Sequence, residues 1–487
     1  MPVLTDLDWA GALHIILEDK DNPVYGAFKR RYYNDPVAFA RECLAWKEGE
    51  SLAPYQEEAL INLVTKGRES IRGPHGLGKT TIAAIIVLWF ALTRDGQDWK
   101  APTTASAWRQ LTKYLWPEIL KWSRHIRWSL VGRPPFDRRT ELLTLNLKLK
   151  TGEAFAVASN DASLIEGAHA DHLLYIFDEA KTIPIETWDA AEGAFAGQGE
   201  VLALGISTPG EPVGRFYEIQ SHKAGFEDWH TRHVTLEEAI AANRISPDWA
   251  EQRRNQWGEK SAVYQNRVLG EFASSEEEGV IPLSWVEAAN ERWRIWQDSG
   301  SALGAFKGVG VDVARSGEDK TVLGLRFDNV ISELRTYSKA DTMETTGRVV
   351  GILEAHKGKA VVDVVGLGAG VVDRLRELGH ETEAFNAGAH TDFKDKTGEL
   401  GFVDCRSAAW WNLREMLSPE SGENIALPPD EELIGDLTAP HWRVQSGGRI
   451  KVESKDEMRS RIGRSTDKGD AVMMIFFDIA PALPFGW

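Results

Sequence analysis

A glycine-rich loop that opens a long apolar helix constrains this chain more than any other feature. Gly73, Gly78, Lys79 and Thr80 match the phosphate-loop pattern G-x-x-x-x-G-K-[ST] without a mismatch. Glycines allow tight turns in which successive backbone N–H groups point at a phosphate. Lys79 can then reach the β- and γ-phosphates, and the Thr80 hydroxyl can coordinate Mg²⁺. The apolar run 82–92 predicts a buried helix whose N-terminus faces the anion. The sequence therefore predicts a nucleotide site, with a purely structural glycine-rich turn as the alternative.

The whole loop and one upstream glutamine are the predicted nucleotide contacts. The loop contacts are Gly73, Pro74, His75, Gly76, Leu77, Gly78, Lys79, Thr80 and Thr81. The Gln56 amide can both donate and accept hydrogen bonds, as the recognition of adenine requires. A structural role at the start of a helix is the other interpretation of Gln56, and the sequence leaves both open.

Two adjacent carboxylates follow the loop by about a hundred residues. The apolar run 173–177 predicts a buried strand, and Asp178 and Glu179 come directly after it. Asp178 is predicted to hold Mg²⁺ through water, and Glu179 to polarise the attacking water. A further strand over 201–206 ends in the polar residues 207–210, which either sense the γ-phosphate or form a plain turn.

Length and composition indicate a globular protein of more than one domain. A chain of 487 residues exceeds one ordinary domain, and its 26% of charged residues is typical of globular chains. We predict an ATPase domain with a preceding helical segment over 1–210, a lid or linker region over 211–300 and a further domain over 301–487. The longest apolar run is too short to span a bilayer, and the N-terminus lacks the basic start of a signal peptide. Two widely separated cysteines fit a reducing compartment, so the expected location is the cytoplasm, with no membrane partner.

A net charge of −17 argues at first against a nucleic-acid partner, but the charge is unevenly distributed. Lys and Arg outnumber Asp and Glu in the segments 109–150 and 441–468. Both segments are either DNA-binding surfaces or ordinary solvated faces, and the sequence does not decide between these two interpretations.

The acidic stretch 274–279 is the predicted linker. After it, the sequence predicts a second set of strands, several of which carry a single carboxylate. Asp312 ends one predicted strand, Asp363 ends a later one, and Asp470 precedes an apolar C-terminal helix. This order is typical of an RNase H-like fold, in which converging carboxylates bind two divalent ions that activate water against a phosphodiester. Asp319 and Asp467 are additional candidate ligands. Surface turns with isolated aspartates are the alternative.

With both halves considered together, the sequence resembles the large subunit of the terminases of tailed double-stranded DNA phages over about residues 50–480. The segments that carry the resemblance are 73–80, 101–103 with Gln110, 167–169, 178–180, 207–209, 269–272, 311–314, Asp363 with 366–370, and 465–467 with 470–471.

The resemblance implies an α/β architecture, in which a P-loop NTPase domain with a mainly parallel sheet precedes an RNase H-like α/β nuclease domain. It implies an enzyme that uses ATP and Mg²⁺, with Mn²⁺ as an alternative at the nuclease site, to drive double-stranded DNA into a procapsid. The nuclease would cut concatemeric DNA into genome units.

The implied partners are DNA, a terminase small subunit and the portal protein of the procapsid, on which a pentameric ring of this chain assembles. Its implied location is the host cytoplasm, in transient contact with the procapsid and outside the mature virion. The rival interpretation is a DNA helicase or translocase of repair or recombination with a non-catalytic C-terminal module. Such a protein shares the ATP site but does not need Asp312, Asp363 and Asp470.

Overall fold

The computed structural model describes residues 22–159, 161–196, 199–273, 279–314, 320–338, 341–445 and 448–478. Asp319 and all but the last residue of the predicted linker 274–279 lie outside these ranges. The chain divides into two compact units: residues up to Ala250 join Gln265–Ala273, and Glu251–Tyr264 join the residues after the linker. The domain boundaries predicted at 210 and 300 stay predictions.

The first unit is built on a seven-stranded, mainly parallel sheet with strand order β3-β4-β2-β5-β6-β1-β7. Only β3 runs antiparallel to its neighbour β4. The strands are β1 (Arg68–Arg72), β2 (Trp99–Ala105), β3 (Asn146–Lys148), β4 (Gly152–Ala158), β5 (His172–Asp178), β6 (Glu200–Ser207) and β7 (His230–His233). Because Arg72 pairs with Ser207, and Asp178 with Ile206, the carboxyl ends of β1, β5 and β6 meet at one edge. This edge is where ligands bind in open parallel sheets.

The helix Lys79–Arg94 crosses the core of the first unit, and its residues from Ile82 onward are buried. A helix that is apolar all round is buried on every face, as the run predicted. The other helical segments are Pro23–Tyr32, Pro36–Ala38, Phe39–Cys43, Pro54–Lys66, Trp108–Gln110, Leu111–Leu115, Trp116–Ser123, Trp128–Val131, Ala162–Glu166, Ala180–Thr182, Ile185–Glu192, Gly193–Ala196, Gly214–Gln220, Leu236–Ala241, Pro247–Trp257, Ala262–Tyr264 and Gln265–Leu269. Of these, Ala262–Tyr264 and the greater part of Pro247–Trp257 belong to the second unit.

The second unit is built on a five-stranded sheet with strand order β10-β9-β8-β11-β12. The strands are β8 (Phe306–Asp312), β9 (Lys320–Phe327), β10 (Val330–Ser338), β11 (Lys359–Asp363) and β12 (Thr382–Phe385). Strands β8, β9 and β10 form an antiparallel meander, while β11 runs parallel to both β8 and β12. This is the RNase H-like order that the sequence predicted. A small sheet of β13 (Gly401–Phe402), β15 (Arg449–Val452) and β14 (Trp442–Val444) lies in the same unit.

Glycines in β8 let the last helix approach the sheet closely. A Cβ added at Gly310 would lie 2.0 Å from the Ala471 carbonyl oxygen, so only glycine fits beneath the helix Asp467–Phe476. The remaining helices of this unit are Leu283–Asp298, Thr342–Ala355, Gly368–Glu377, Cys405–Leu417, Pro419–Ser421, Glu431–Thr438 and Lys455–Ile462. Among the described helices, none has both the length and the hydropathy that crossing a bilayer requires.

Candidate ATPase and nuclease sites

The predicted phosphate loop follows β1 and has the backbone that its glycines allow. Gly76 and Gly78 have φ values of +85° and +72°, a left-handed conformation that favours glycine. Lys79 Nζ donates to the carbonyl oxygens of Gly73 and Pro74, at 3.3 and 2.7 Å. It also donates to the Thr208 hydroxyl at 3.1 Å. The polar turn after β6 therefore contacts the lysine of the loop directly, and its sensing of the γ-phosphate stays a prediction.

Asp178 and Glu179 stand where the sequence predicted, at the carboxyl end of β5. Burial lowers the pKa of Lys79 to about 8, although Glu179 and Asp178 oppose that shift. Burial also raises the pKa of Asp178 to about 7, with the charge of Glu179 adding to the rise. Such buried opposite charges beside a phosphate loop are typical of a functional site. Glu179 has φ of +49°, which is uncommon for a residue with a side chain, and the Ser207 hydroxyl donates to its Oε2 at 3.2 Å.

Gln56 braces the loop from the helix Pro54–Lys66. Its Nε2 donates to the Leu77 carbonyl at 3.1 Å, and its Oε1 accepts the Ala53 N–H at 2.9 Å. The Tyr55 hydroxyl donates to the same Leu77 carbonyl at 2.9 Å. Gln56 is 1% exposed, so the helix-start interpretation is realised in the structure, while its contact with adenine stays a prediction.

Thr81, a predicted nucleotide contact, uses its side chain within the protein. Its hydroxyl donates to Glu118 Oε1 at 2.9 Å, and Glu118 also accepts from Lys121 and Trp122. Thr81 can therefore contact a phosphate through its backbone N–H while its hydroxyl holds the helix Trp116–Ser123.

A strap over Gln265–Ala273 lies across both the loop and the turn after β6. The Arg267 carbonyl accepts the His75 N–H at 3.0 Å, and Asn266 donates to the Gly210 carbonyl at 3.1 Å. Arg72 Nη1 donates to the Gly270 carbonyl at 2.7 Å. Gly270 has φ of +70°, and an added Cβ would lie 2.6 Å from Gly73 Cα. The strap was not identified as part of the site from the sequence.

In the second unit, the predicted carboxylates converge on one lysine. Lys455 Nζ lies 2.8 Å from Asp312 Oδ1, 3.2 Å from Asp363 Oδ2 and 3.4 Å from Asp470 Oδ2. Asp312 and Asp363 are adjacent because they end the neighbouring parallel strands β8 and β11. Burial raises the pKa of Asp312, although Lys455 opposes that shift. The three carboxylates together raise the pKa of Lys455 in spite of its burial.

Asp467 and Asp470 occupy different positions at the start of the last helix. Asp470 is 1% exposed and pairs with Arg406 Nη1 at 2.7 Å, while its Oδ2 accepts the Thr466 hydroxyl at 3.0 Å. Although burial opposes it, Arg406 and Lys455 lower the pKa of Asp470. A cavity of about 360 Å³ is lined by Asp467 together with Asp312, Asp363 and Lys455. Asp467 thus faces the cavity, whereas Asp470 is joined to it through Lys455, whose Nζ lies 3.4 Å from Asp470 Oδ2.

The donor chemistry of this cavity fits divalent ions. Several carboxylate oxygens converge there, and such oxygens are the ligands that Mg²⁺ and Mn²⁺ prefer. The Lys455 ammonium offsets their charge in the structure. Among the described residues, no group of three or more His, Cys, Asp or Glu side chains is arranged to hold a metal ion. The metal-ligand roles of Thr80, Asp178, Asp312, Asp363, Asp467 and Asp470 stay predictions, and Asp319 lies outside the described residues.

Sequence reasoning missed Lys455 and Arg406. Ser454 and Glu457 form a capping box that starts the helix Lys455–Ile462, so the pattern S-x-x-E within the basic segment 441–468 was the available signal for Lys455. This segment is not simply a solvated face, because Lys455 and Lys451 both line the cavity. Arg406 is distant in sequence from every aspartate that it contacts, and no local pattern indicates it.

Comparison with curated proteins gives a relative whose similarity extends over both units. No family model matches the sequence. The chain is 24% identical over 448 residues to the "Probable terminase, large subunit" of Enterobacteria phage P7, covering 86% of this chain and 84% of the relative. The resemblance predicted from the motifs is confirmed by this similarity.

The solved structures that this chain matches include two from bacterial viruses. The large terminase of the thermophilic bacteriophage D6E has a TM-score of 0.41 and 15% identity, covering 88% of this chain and 98% of that one. The nuclease domain of the large terminase subunit of bacterial virus Sf6 has a TM-score of 0.36 and 18% identity, covering 41% of this chain and 99% of that domain.

Proposed function

We propose that this chain is the large subunit of a phage terminase, a motor that packages double-stranded DNA and also cuts it. The carrying observation is that one chain holds two chemically different sites, one in each compact unit. The first is a phosphate loop with Lys79, Asp178 and Glu179, and the second is the Asp312–Asp363–Asp470 convergence on Lys455.

In the first unit, the residues support ATP hydrolysis as well as ATP binding. The loop N–H groups and Lys79 would bind the β- and γ-phosphates, and Thr80 and Asp178 would hold Mg²⁺. Glu179 would act as general base and accept a proton from the attacking water. Its contact with Ser207, next to the Thr208 that Lys79 contacts, links the base to the turn that senses the γ-phosphate.

In the second unit, the residues support phosphodiester cleavage. Mg²⁺ or Mn²⁺, when bound, would supply Lewis-acid stabilisation at the scissile phosphate. Asp312, Asp363, Asp467 and Asp470 would hold the ions, with Asp470 kept ionised by Arg406. Lys455 would move from the carboxylates toward the phosphate as metal replaces its charge among them. Metal dependence of the nuclease is part of this proposal.

The same proposal extends to the partners. The motor would act on double-stranded DNA in the host cytoplasm, with a terminase small subunit that selects the DNA and a portal that receives it. A pentameric ring of this chain on the portal is the assembly that the resemblance implies.

The experiment is a pair of assays on the full-length protein. ATP hydrolysis is measured with and without double-stranded DNA, and supercoiled plasmid is followed on gels with EDTA, Mg²⁺ or Mn²⁺. We expect ATP turnover and metal-dependent conversion of plasmid to nicked and linear forms. ATP turnover without cleavage under any metal condition would instead favour a helicase-like translocase with a non-catalytic second unit.

A further inference from the structure

The helix Asp467–Phe476 carries two of the candidate nuclease carboxylates, and its own N-cap does not satisfy its first N–H groups. Thr466 occupies the N-cap position but makes no side-chain capping hydrogen bond. Its hydroxyl donates instead to Asp470 Oδ2 at 3.0 Å. A threonine at this position ordinarily accepts an N–H from the first turn. The helix therefore needs another acceptor for these groups.

That acceptor is Asp436, which belongs to the separate helix Glu431–Thr438. Asp436 Oδ2 accepts the backbone N–H of Lys468 at 3.0 Å and that of Gly469 at 3.1 Å. Its Oδ1 pairs with Arg464. The Asp436 side chain is 1% exposed, so these partners replace the water that a carboxylate would otherwise require.

The contact is closely fitted at Gly469. A Cβ added there would lie 2.9 Å from the Asp436 Cβ and 3.1 Å from the Trp410 ring. Any larger residue would push the first turn of the helix away from Asp436. The glycine between Asp467 and Asp470 is thus explained by the close approach of Asp436 rather than by a turn.

We propose that Asp436 is a positioning residue of the nuclease, which fixes the first turn of this helix and so directs Asp467 and Asp470 toward the divalent ions. The inference rests on the proposed nuclease function. One carboxylate oxygen shared by two consecutive N–H groups sets both the rotation and the height of that turn. The loss of a residue that orients metal ligands without binding the metal itself typically lowers metal affinity by about 10–100-fold.

The test measures Mn²⁺ binding to the full-length protein by titration calorimetry, with the Mn²⁺ dependence of plasmid nicking as the second readout. Asp436→Ala removes the acceptor, and we expect Mn²⁺ affinity to fall by about tenfold or more. Asp436→Asn keeps an oxygen that can accept both N–H groups, so its affinity is expected within about threefold of wild type. Gly469→Ala leaves Asp436 in place but displaces the turn, and the expected loss equals that of Asp436→Ala.

Asp430→Asn is the matched control. Asp430 Oδ2 accepts from the Lys468 side chain at 2.6 Å, so this variant also removes one negative charge beside Lys468 but leaves the backbone contacts intact. We expect wild-type Mn²⁺ affinity for it, and unchanged ATP turnover for all four variants.

Two results would overturn the positioning role: wild-type Mn²⁺ affinity in Asp436→Ala, or an equal loss in Asp436→Asn and Asp436→Ala, which would assign the effect to the unpaired charge of Arg464. If circular dichroism shows that Asp436→Ala does not fold, Gly469→Ala takes its place. Wild-type Mn²⁺ affinity in Gly469→Ala, or an equal loss in Gly469→Ala and Asp436→Asn, would then overturn the positioning role. A wild-type protein that neither binds Mn²⁺ nor nicks plasmid would refute the nuclease proposal and this role together. Metal binding in the wild type with unaffected variants would refute the role alone.

Discussion

Glu179 combines an unusual backbone conformation with a position beside the phosphate loop. Its φ of +49° places it in a region where a non-glycine residue costs of the order of 1–3 kcal/mol. The Ser207 hydroxyl holds its carboxylate at 3.2 Å. A general base must be held in one orientation to accept a proton from the attacking water, and this hydrogen bond provides such fixation. The strain is therefore consistent with the catalytic role predicted from the Asp-Glu pair.

Glu179→Gln is expected to bind ATP but to hydrolyse it at least about 100-fold more slowly, because an amide cannot act as general base. Steady-state phosphate release gives the rate, and titration of a fluorescent ATP analogue gives the affinity. Glu186→Gln, an exposed carboxylate on the next helix, is the control and should keep the wild-type rate. Near-normal turnover in Glu179→Gln would remove Glu179 from the mechanism.

Arg94 and Glu200 form a largely buried ion pair at the start of β6, the strand whose other end lies at the phosphate-loop edge of the sheet. Arg94 is fully buried, the Glu200 side chain is 21% exposed, and two hydrogen bonds of 2.5 and 3.0 Å join them. His172 Nδ1 also lies 2.8 Å from Glu200. Burial alone would raise the pKa of Glu200, but Arg94 and His172 outweigh it and bring the pKa to about 2.

Glu200→Gln is expected to lower the free energy of unfolding of the first unit by about 3–5 kcal/mol, because it leaves Arg94 buried without a counter-charge. The pKa in the folded state is below the unfolded value of about 4.3, so this stabilisation is full above about pH 5 and is lost as the pH falls through about 2. Between about pH 5 and pH 2, the free energy of unfolding of Glu200→Gln should therefore depend less on pH than that of the wild type.

Calorimetric scans between pH 7 and pH 2 measure this effect, and the transition of the first unit is identified by its upward shift with ATP. Glu57→Gln is the control, since its partner Arg41 is 61% exposed and such pairs contribute about 0–1 kcal/mol. Equal destabilisation by Glu200→Gln and Glu57→Gln would contradict the assignment of the larger effect to the buried Arg94–Glu200 pair.

At the scale of elements, the strap Gln265–Ala273 joins the phosphate loop to the turn after β6. Replacing Gly270 by alanine would force a Cβ against Gly73 at 2.6 Å and lift the strap from the loop. Gly270→Ala is expected to weaken ATP binding by about tenfold or more, which corresponds to a loss of more than about 1.4 kcal/mol of binding free energy. Nucleotide titration of the full-length protein measures it.

Gly225→Ala is the matched control for the strap. Gly225 has φ of +99°, but no atom lies within 4 Å of its added Cβ, so this variant carries only the cost of the left-handed backbone. We expect a lower melting temperature and wild-type ATP affinity. If both variants weaken ATP binding equally, the strap does not support the loop.

The elements with strong local patterns were predictable, and those built from distant contacts were not. The apolar runs 82–92 and 173–177, and the carboxylates after β5, β8 and β11, appear where periodicity and motif placed them. Part of the strap, 269–272, is among the segments that carry the family resemblance. Its contacts to His75 and Gly210 arise only when the chain folds back, so no local pattern predicts them. Lys455 and Arg406 were missed for the same reason, since their partners are carboxylates that lie far away in the sequence. The apolar run predicted a helix after Asp470, whereas the helix begins at Asp467, and which of the two aspartates is the main metal ligand stays a prediction.

At the scale of the whole molecule, the proposed sites of ATP hydrolysis and DNA cleavage lie in separate compact units, each with its own core. The two sites use different residues, so each activity should be removable without the other. The ATPase side is tested by Lys79→Ala, which loses the cation that contacts the β- and γ-phosphates and should abolish ATP turnover. Its metal-dependent nicking of plasmid should stay at the wild-type level.

The converse variant, Asp312→Asn, removes one negative charge among the carboxylates around Lys455 with little change in volume. Cleavage of plasmid should fall by at least about 100-fold at every Mg²⁺ and Mn²⁺ concentration, because even the outer partners of metal ligands cost 10–100-fold. ATP turnover should stay within about twofold of wild type, as expected for sites that share no partner. Asp328→Asn is the control, since Asp328 lies in the exposed turn between β9 and β10. It accepts the Ala305 N–H at 3.1 Å and pairs with the exposed Lys307, a pair of the kind that contributes little. Cleavage at the wild-type rate in Asp312→Asn would show that the converging aspartates are structural, and loss of ATP turnover would show that the two units act as one.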